Sequence, residues 1–248
     1  MSRWTEGTVV ENHHWTDRLY SLRVEADIEG FTAGQFGRLA LDIDGERVAR
    51  PYSFVNAPDE RPLEFYSIVV PGGALSPRLA SLGPGDKLWV ARKGAGFFTL
   101  SEVPDDPPHM WMLSTGTALG PFLSILKTPD PWGRFETIVL VHAVRTVAEL
   151  TYRETIERFA ARHPDQFVYI PFVSREDTDF AIKGRIPAAI EDGRLEERAG
   201  TPLSSTASHV MLCGNPGMVK DTTAVLEQRG FKRNKRKEPG QITTEQYW

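Results

Sequence analysis

The run Val103-Pro104-Asp105-Asp106-Pro107-Pro108 separates two stretches whose hydrophobic patterns demand different architectures. Proline removes a backbone donor and fixes φ, so three prolines beside two acids read as a linker or a domain edge. Before this run, short apolar segments recur at Thr8-Val9-Val10, Leu19 to Val24, Phe36 to Leu41, Tyr52 to Val55, Leu63 to Val70 and Lys87 to Ala91. Asp44-Gly45, Pro71-Gly72-Gly73 and Pro84-Gly85-Asp86 supply turns between them. One helix-like insert, Leu75 to Leu82, interrupts the series. Residues 1–103 are therefore expected to form a six-stranded antiparallel β-barrel.

Beyond the prolines the period changes. Strands at His109 to Ser114, Thr137 to Val144, Phe167 to Val173 and His209 to Cys213 alternate with helices at Leu119 to Leu126, Thr151 to Ala161 and Gly217 to Gln228. Apolar strands alternating with amphipathic helices predict an α/β domain with an open parallel sheet over residues 104–248.

Composition narrows the function. A net charge of -4 gives no reason to expect nucleic acid as a partner. No apolar run approaches the roughly 20 residues of a membrane span, and Met1 to Glu6 begin no signal-peptide core. Cys213 is the single cysteine, which excludes an internal disulfide and an iron–sulfur cluster on this chain, and is consistent with a reducing cytoplasm. The six histidines show no metal-ligand spacing, so no metal is expected.

Arg50-Pro51-Tyr52-Ser53 places a cation, a ring and a hydroxyl on one extended segment. Strand alternation puts Arg50 and Tyr52 on one face and Ser53 on the other. A flat, partly anionic ligand such as a flavin dinucleotide would stack on the phenol and have its phosphates neutralised by the guanidinium. Read blandly, the same residues are a surface arginine and a half-buried strand tyrosine. Gly72-Gly73-Ala74-Leu75-Ser76 leads into the helical insert, where free amides and the Ser76 hydroxyl can receive phosphate.

In the second domain, Ser114-Thr115-Gly116-Thr117-Ala118-Leu119-Gly120-Pro121 follows the first strand, where open α/β sheets bind ligands. Its spacing departs from the Gly-x-Gly-x-x-Gly fingerprint, and an ordinary strand-to-helix turn reads the same way. Cys213-Gly214-Asn215-Pro216-Gly217-Met218 repeats the arrangement at a later strand end. A lone cysteine there is an inert core residue or a contact to a ligand ring, with no adjacent base to make it a nucleophile. Ser174, Arg175 and Arg185 suit the extra phosphate of NADP(H), because guanidinium binds phosphate bidentately; surface ion pairs are the alternative. Arg229 to Lys237 carries six Lys or Arg and no acid, a solvated face or a docking surface for an acidic protein. The ending Glu245-Gln246-Tyr247-Trp248 offers two rings to cover a planar ligand.

Taken in order, Arg50-Pro51-Tyr52-Ser53, Gly73-Ala74-Leu75-Ser76-Pro77-Arg78, Thr115 to Pro121, Cys213-Gly214-Asn215-Pro216 and the Tyr247-Trp248 ending resemble the ferredoxin–NADP⁺ (flavodoxin) reductases of the compact bacterial type. The likeness spans the whole chain. It implies an FAD barrel at residues 1–103 and an NADP(H) domain at 104–248 whose aromatic tail returns to the flavin. By resemblance, Arg50, Pro51, Tyr52, Ser53 and Ser76 contact FAD, with Ser53 near N5, while Tyr66, Ser67, Ile68, Val69, Ala74 and Leu75 line it. Thr117 sits between flavin and nicotinamide; Val144, Arg145, Ser174, Arg175, Arg185, Asn215 and Pro216 fall along NADP(H). Ser53, Cys213 and Tyr247 are the candidates for the reacting centre, with Tyr247 on the isoalloxazine and Trp248 towards adenine.

The expected activity is hydride transfer from NADPH to flavin N5, then single-electron exchange with ferredoxin or flavodoxin, by a monomeric cytoplasmic enzyme. Two rivals remain: an NAD(P)H-dependent reductase of free flavin, ferric chelates or quinones, and a nucleotide-binding module without turnover.

Overall fold

Strands β1 (Trp4–His14), β2 (Leu19–Ala26), β3 (Phe36–Ile43), β4 (Glu46–Ser53), β5 (Leu63–Ile68) and β6 (Lys87–Ala91) form one antiparallel sheet in the order β4-β3-β6-β1-β2-β5. Burial along β2 keeps the two-residue period of a sheet with one wet face: Leu22 and Val24 are buried, Arg23 and Glu25 exposed. The sheet curls until its two outermost strands meet at a bridge between Phe54 and Phe65, where the Val55 amide donates to the Glu64 carbonyl at 2.9 Å. Val9, Tyr20, Leu39, Phe54, Phe65 and Leu79 fill the interior. The expected barrel is a curled sheet closed by this short bridge.

The structure describes residues 3–104 and 107–247, and they fall into two compact units. The first is the curled sheet up to Thr99 together with Gly120–Thr128; the second is Leu100–Leu119 with the residues from Pro129 onward. Asp105 and Asp106 of the expected linker lie outside the described residues. The first unit holds helix α1 (Ser76–Ala80), shorter than the expected Leu75 to Leu82, and α2 (Gly120–Leu126). Asn12 Nδ2 donates to the carbonyls of Leu79, Ala80 and Leu82 at 3.2, 3.0 and 2.8 Å, closing the end of α1. Strand β4 begins at Glu46, six residues before the segment expected from Tyr52. Its charges and Pro51 disguise it: β4 is an edge strand, where exposed charges and a missing amide do no harm.

Asn56, just past β4, organises the loop that leads to β5. It is buried, donates to the carbonyls of Ala57 at 2.9 Å and Glu60 at 3.0 Å, and accepts from the Glu64 amide at 2.8 Å. Ser124 of α2 donates to the Asn56 carbonyl at 2.8 Å, tying the helix to that loop.

The second unit is a parallel sheet of β7 (His109–Thr115), β8 (Thr137–Val144), β9 (Phe167–Val173), β10 (Ile182–Lys183), β11 (Ser208–Gly214) and β12 (Ile242–Gln246), ordered β10-β9-β8-β7-β11-β12. Helices α3 (Asp130–Arg134), α4 (Arg153–Arg162), α5 (Ile186–Glu191), α6 (Arg194–Ala199) and α7 (Pro216–Gln228) connect the strands. Met110, Trp111, Met112 and Leu113 of β7 are fully buried, as a strand covered on both faces requires. The chain runs outward from β7 to β10, then returns to place β11 on the other side of β7. Ligands of open α/β sheets bind at such a reversal.

Just before the terminal rings the structure has a strand where the sequence reading placed none. Ile242–Gln246 is a sixth strand, paired in parallel with β11 so that Glu245 faces Cys213 and Gln246 faces Gly214. Ile-Thr-Thr favours a strand, but one apolar residue in five gives no alternation to detect. Among the described residues no helix is long and apolar enough to cross a membrane.

Replacing Asn56 by Ala strands the buried Glu64 amide and takes one donor each from the carbonyls of Ala57 and Glu60. The expected loss is about 2–3 kcal/mol of stability, against less than about 0.5 kcal/mol for exposed Asp59→Ala, checked by urea denaturation of both variants.

Candidate functional site

Arg50 to Ser53 end the edge strand β4, with Tyr52 opposite Gly37 on β3. The guanidinium of Arg50 donates to its neighbour's carbonyl, Ala49 O, at 2.8 Å and lies exposed, with no ion pair among the described residues. Tyr52 is half-buried; burial pushes its phenol up to about 12, with the Arg50 charge pulling the other way, so it is a neutral ring. Ser53 is buried. Tyr66, Ser67 and Ile68 lie on β5, the opposite edge strand, paired with Ser21, Tyr20 and Leu19 of β2. Beyond the Phe65 bridge, no strand among the described residues pairs with the outer side of β5.

Ser76 is the first residue of α1, and the capping position falls to Leu75, which supplies no side-chain cap. The Ser76 hydroxyl accepts from the Val70 amide at 3.0 Å, and its carbonyl accepts from the Tyr20 hydroxyl at 3.1 Å. Burial and the neighbouring Tyr52 raise the Tyr20 phenol, against a hydrogen bond with Ser67. Tyr20 thus links the strand carrying Ser67, the ring of Tyr52 and the turn Gly73-Ala74-Leu75-Ser76, which the sequence presents as separate motifs.

In the second unit the strand-order reversal gathers two loops. Thr115 Oγ1 accepts the Asn215 amide at 3.1 Å. Gly214 has φ +150°, and a Cβ there would fall 2.1 Å from Thr115 Oγ1, so a side chain cannot enter. Gly116 turns the chain with φ +54° into the short turn that carries buried Thr117. The Gly116 carbonyl accepts from His142 Nε2 at 3.1 Å; burial pushes this histidine down to about 4 against that bond, keeping it neutral. Asn215 uses its side-chain oxygen to cap α7, accepting from Gly217 at 2.9 Å and Met218 at 3.4 Å, with Pro216 in the first turn.

Cys213 is fully buried. Burial and the Glu245 carboxylate push its thiol well up, outweighing a hydrogen bond with Tyr247, so the sulfur is neutral and no nucleophile. The Tyr247 amide donates to the Gly214 carbonyl at 3.0 Å, extending the β12 ladder to the ring. Trp248 lies outside the described residues.

The arginines come together as well. Val144 pairs with Val173, the Ser174 amide donates to the Val144 carbonyl at 3.1 Å, and the Arg175 amide donates to the Arg145 carbonyl at 2.8 Å. Arg145 and Arg175 therefore leave the carboxyl ends of neighbouring strands side by side, and Arg185 follows β10 at the start of α5. Arg175 and Arg185 are exposed and have no ion pair among the described residues. Arg145 is held by Glu149 at 2.6 Å. The basic run is half neutralised: Arg229 pairs with Glu196, Arg233 with Glu227 and Lys235 with Glu238, while Lys232, Arg236 and Lys237 stay exposed.

Three carboxylates escaped the sequence reading. Glu149 lies four residues after Arg145, a spacing that signals a pair. Glu176 accepts the Val147 amide at 2.5 Å. Glu245 is hidden in the supposed tail; its Oε2 has no hydrogen-bond partner among the described residues, and burial pushes the carboxyl up to about 7. Between the ordinary carboxyl value and about 7 the folded chain holds a proton that the unfolded chain releases. Stability from this group is present at low pH and is lost as pH rises through about 7. Glu245→Gln should gain thermal stability relative to the parent at about pH 8 compared with about pH 5; melting temperatures with an unchanged difference would discard this assignment.

Two family models match: an oxidoreductase FAD-binding domain over residues 8–95 and an oxidoreductase NAD-binding domain over residues 112–224. The flavodoxin/ferredoxin–NADP reductase of Shigella flexneri is 50% identical over 249 residues, covering 100% of both chains. The ferredoxin–NADP reductase of Pseudomonas aeruginosa is 36% identical, covering 99% of this chain and 98% of its own. Among solved structures, a ferredoxin NADP⁺ reductase from Neisseria gonorrhoeae with bound FAD and NADP superposes with a TM-score of 0.94 at 30% identity, over 100% of both chains. Sequence likeness along the whole length and the two-unit fold agree: the chain belongs to the flavodoxin/ferredoxin–NADP reductases.

Proposed function

We propose that this chain holds FAD on its curled sheet and NADP(H) on its parallel sheet, takes a hydride from NADPH, and exchanges the two electrons one at a time with flavodoxin or ferredoxin. The observation that carries the reading is the set of three arginines, Arg145, Arg175 and Arg185, beyond the carboxyl ends of adjacent parallel strands. Guanidinium groups in that position match a 2′-phosphate, and two of them have no competing ion pair among the described residues.

The residues suit both groups. Tyr52 offers a neutral ring face, Arg50 an exposed positive charge and the outer edge of β5 backbone groups for FAD. Bound FAD would supply the hydride acceptor and the ability to release electrons singly. On the curled sheet Ser53 would contribute a hydroxyl to FAD; on the parallel sheet Thr117 would present a small side chain, and Cys213 an uncharged contact, to nicotinamide. Asn215 keeps its amide nitrogen for the nucleotide while its oxygen caps α7. Hydride transfer asks for no general acid or base. A neutral thiol and a neutral histidine at this end of the sheet are therefore in keeping with it. Tyr247 is proposed as the ring that nicotinamide must displace, and Lys232, Arg236 and Lys237 as part of a cationic face for the acidic carrier.

Anaerobic titration tests the reading as a whole: the purified protein should be yellow, bleach with NADPH, and recover colour on adding oxidised flavodoxin or ferredoxin. Fast turnover with ferric chelates or quinones and none with either carrier would favour the rival reductase. Arg175→Ala combined with Arg185→Ala should raise KM for NADPH by roughly 10- to 100-fold, one lost charge-assisted bond or more, and leave NADH unchanged in steady-state assays. Deleting the last two residues should tighten NADP⁺ binding by about tenfold and alter the flavin spectrum; an unchanged spectrum and affinity would remove Tyr247 from the gate.

A further inference from the structure

Arg145 differs from its two companions in being already occupied. Its Nε donates to Glu149 Oε1 at 3.1 Å and more weakly to Oε2 at 3.4 Å, and its Nη2 donates to Oε1 at 2.6 Å. The Arg145 amide donates to Glu149 Oε2 at 2.9 Å, so one carboxylate holds both the backbone and the side chain of the same residue. Nη1 has no hydrogen-bond partner among the described residues. The Arg145 side chain is 42% exposed and that of Glu149 17%, so the carboxylate lies beneath the guanidinium and the guanidinium faces outward.

The surroundings fix this arrangement from three sides. The Arg145 carbonyl is taken by the Arg175 amide at 2.8 Å. Glu149 closes the turn Val147–Glu149, its amide donating to the Thr146 carbonyl at 3.1 Å. Glu176, immediately after Arg175, accepts the Val147 amide at 2.5 Å and ties that turn to the loop after β9. Burial works against ionisation of Glu149, yet the guanidinium and the backbone amides of Arg145 and Thr146 outweigh it and hold the carboxyl below its usual range.

We propose that Glu149 is a specificity-determining residue that preorients Arg145, leaving the Nη1 side of the guanidinium set for the 2′-phosphate of NADP(H). The inference rests on the reading of Arg145 as a phosphate ligand. A free arginine must surrender side-chain freedom to bind, whereas one already held in a carboxylate fork has lost it beforehand. Repulsion between the Glu149 carboxylate and the phosphate acts in the opposite sense. Orientation prevails here because the carboxylate is pinned by backbone amides and cannot swing away to free the arginine as a mere competitor would. Glu149 touches no nucleotide in this scheme; it acts through Arg145.

The test uses the whole chain and two small probes, 2′-phospho-AMP and 5′-AMP, with binding followed by calorimetry. Glu149→Gln is expected to weaken 2′-phospho-AMP binding by about 5- to 20-fold and leave 5′-AMP unchanged. Equal or tighter binding of 2′-phospho-AMP would overturn the proposal. In the Arg145→Ala background the same substitution should have no further effect; a further loss there would show that Glu149 acts on something else. If Arg145→Ala by itself leaves the preference for the 2′-phosphate intact, the phosphate reading of Arg145 fails. If Arg145→Ala removes that preference and Glu149→Gln does not alter it, the role of Glu149 alone fails. Should Glu149→Gln not fold, Glu149→Asp, which keeps the charge on a shorter stem, is expected to give a smaller loss of the same sign, and no loss would refute the role.

Discussion

Strand β11 is hydrogen-bonded along both of its edges, to β7 on one side and β12 on the other, and the chemistry of the second unit hangs on that double pairing. The ladder to β7 sets the reversal of strand order and brings Asn215 to Thr115. The ladder to β12 sets Glu245 beside Cys213 and carries Tyr247 to the Gly214 carbonyl. Neither neighbour is close in sequence, so their positions come from backbone pairing across the sheet. A ring at the end of a paired strand also starts from a defined place, which a freely moving terminal segment would not provide.

Much of this was legible in the sequence. Ile138 to Val141 and Ile170 to Val173 are unbroken apolar runs, the pattern of strand segments buried on both faces. The phosphate and ring candidates could be named because Arg50-Pro51-Tyr52-Ser53 and Cys213-Gly214-Asn215-Pro216 combine chemistry with punctuation. Edges and partners were harder to see. Strand β4 is written in charges because it lies at an edge, and β12 in threonine and glutamate because its stability is borrowed from β11. The short β10, only Ile182–Lys183, has no periodicity to detect. The single basic run looked like one uniform patch, whereas half of its cations are spoken for by glutamates distant or adjacent in sequence. Ion pairs of this kind are tertiary facts, and a list of residue types cannot contain them.

Glu149 and Glu245 show how far the surroundings decide what a carboxylate is. Both are partly sheltered from solvent. Glu149 has an arginine and two amides as donors, which hold its carboxyl below the usual range, whereas Glu245 has an oxygen without a donor among the described residues and is pushed up to about 7. Burial opposes the charged form of each, and the donors alone separate the outcomes.

The same sorting runs across the sheet. At the ends of the central strands β7 and β11 stand groups that are uncharged at neutral pH or have no charge at all: Thr115, Gly116, Thr117, the thiol of Cys213 and the imidazole of His142 behind Gly116. At the ends of the outer strands β8, β9 and β10 stand Arg145, Arg175 and Arg185. A nicotinamide needs a close, uncharged approach, and a 2′-phosphate needs fixed positive charge. A dinucleotide lying across the reversal would meet each requirement at its own end. The strand order thereby places two incompatible environments a few strands apart on one rigid frame. Glu149 then trims the cationic side, turning one of its three arginines from a mobile charge into a directed one.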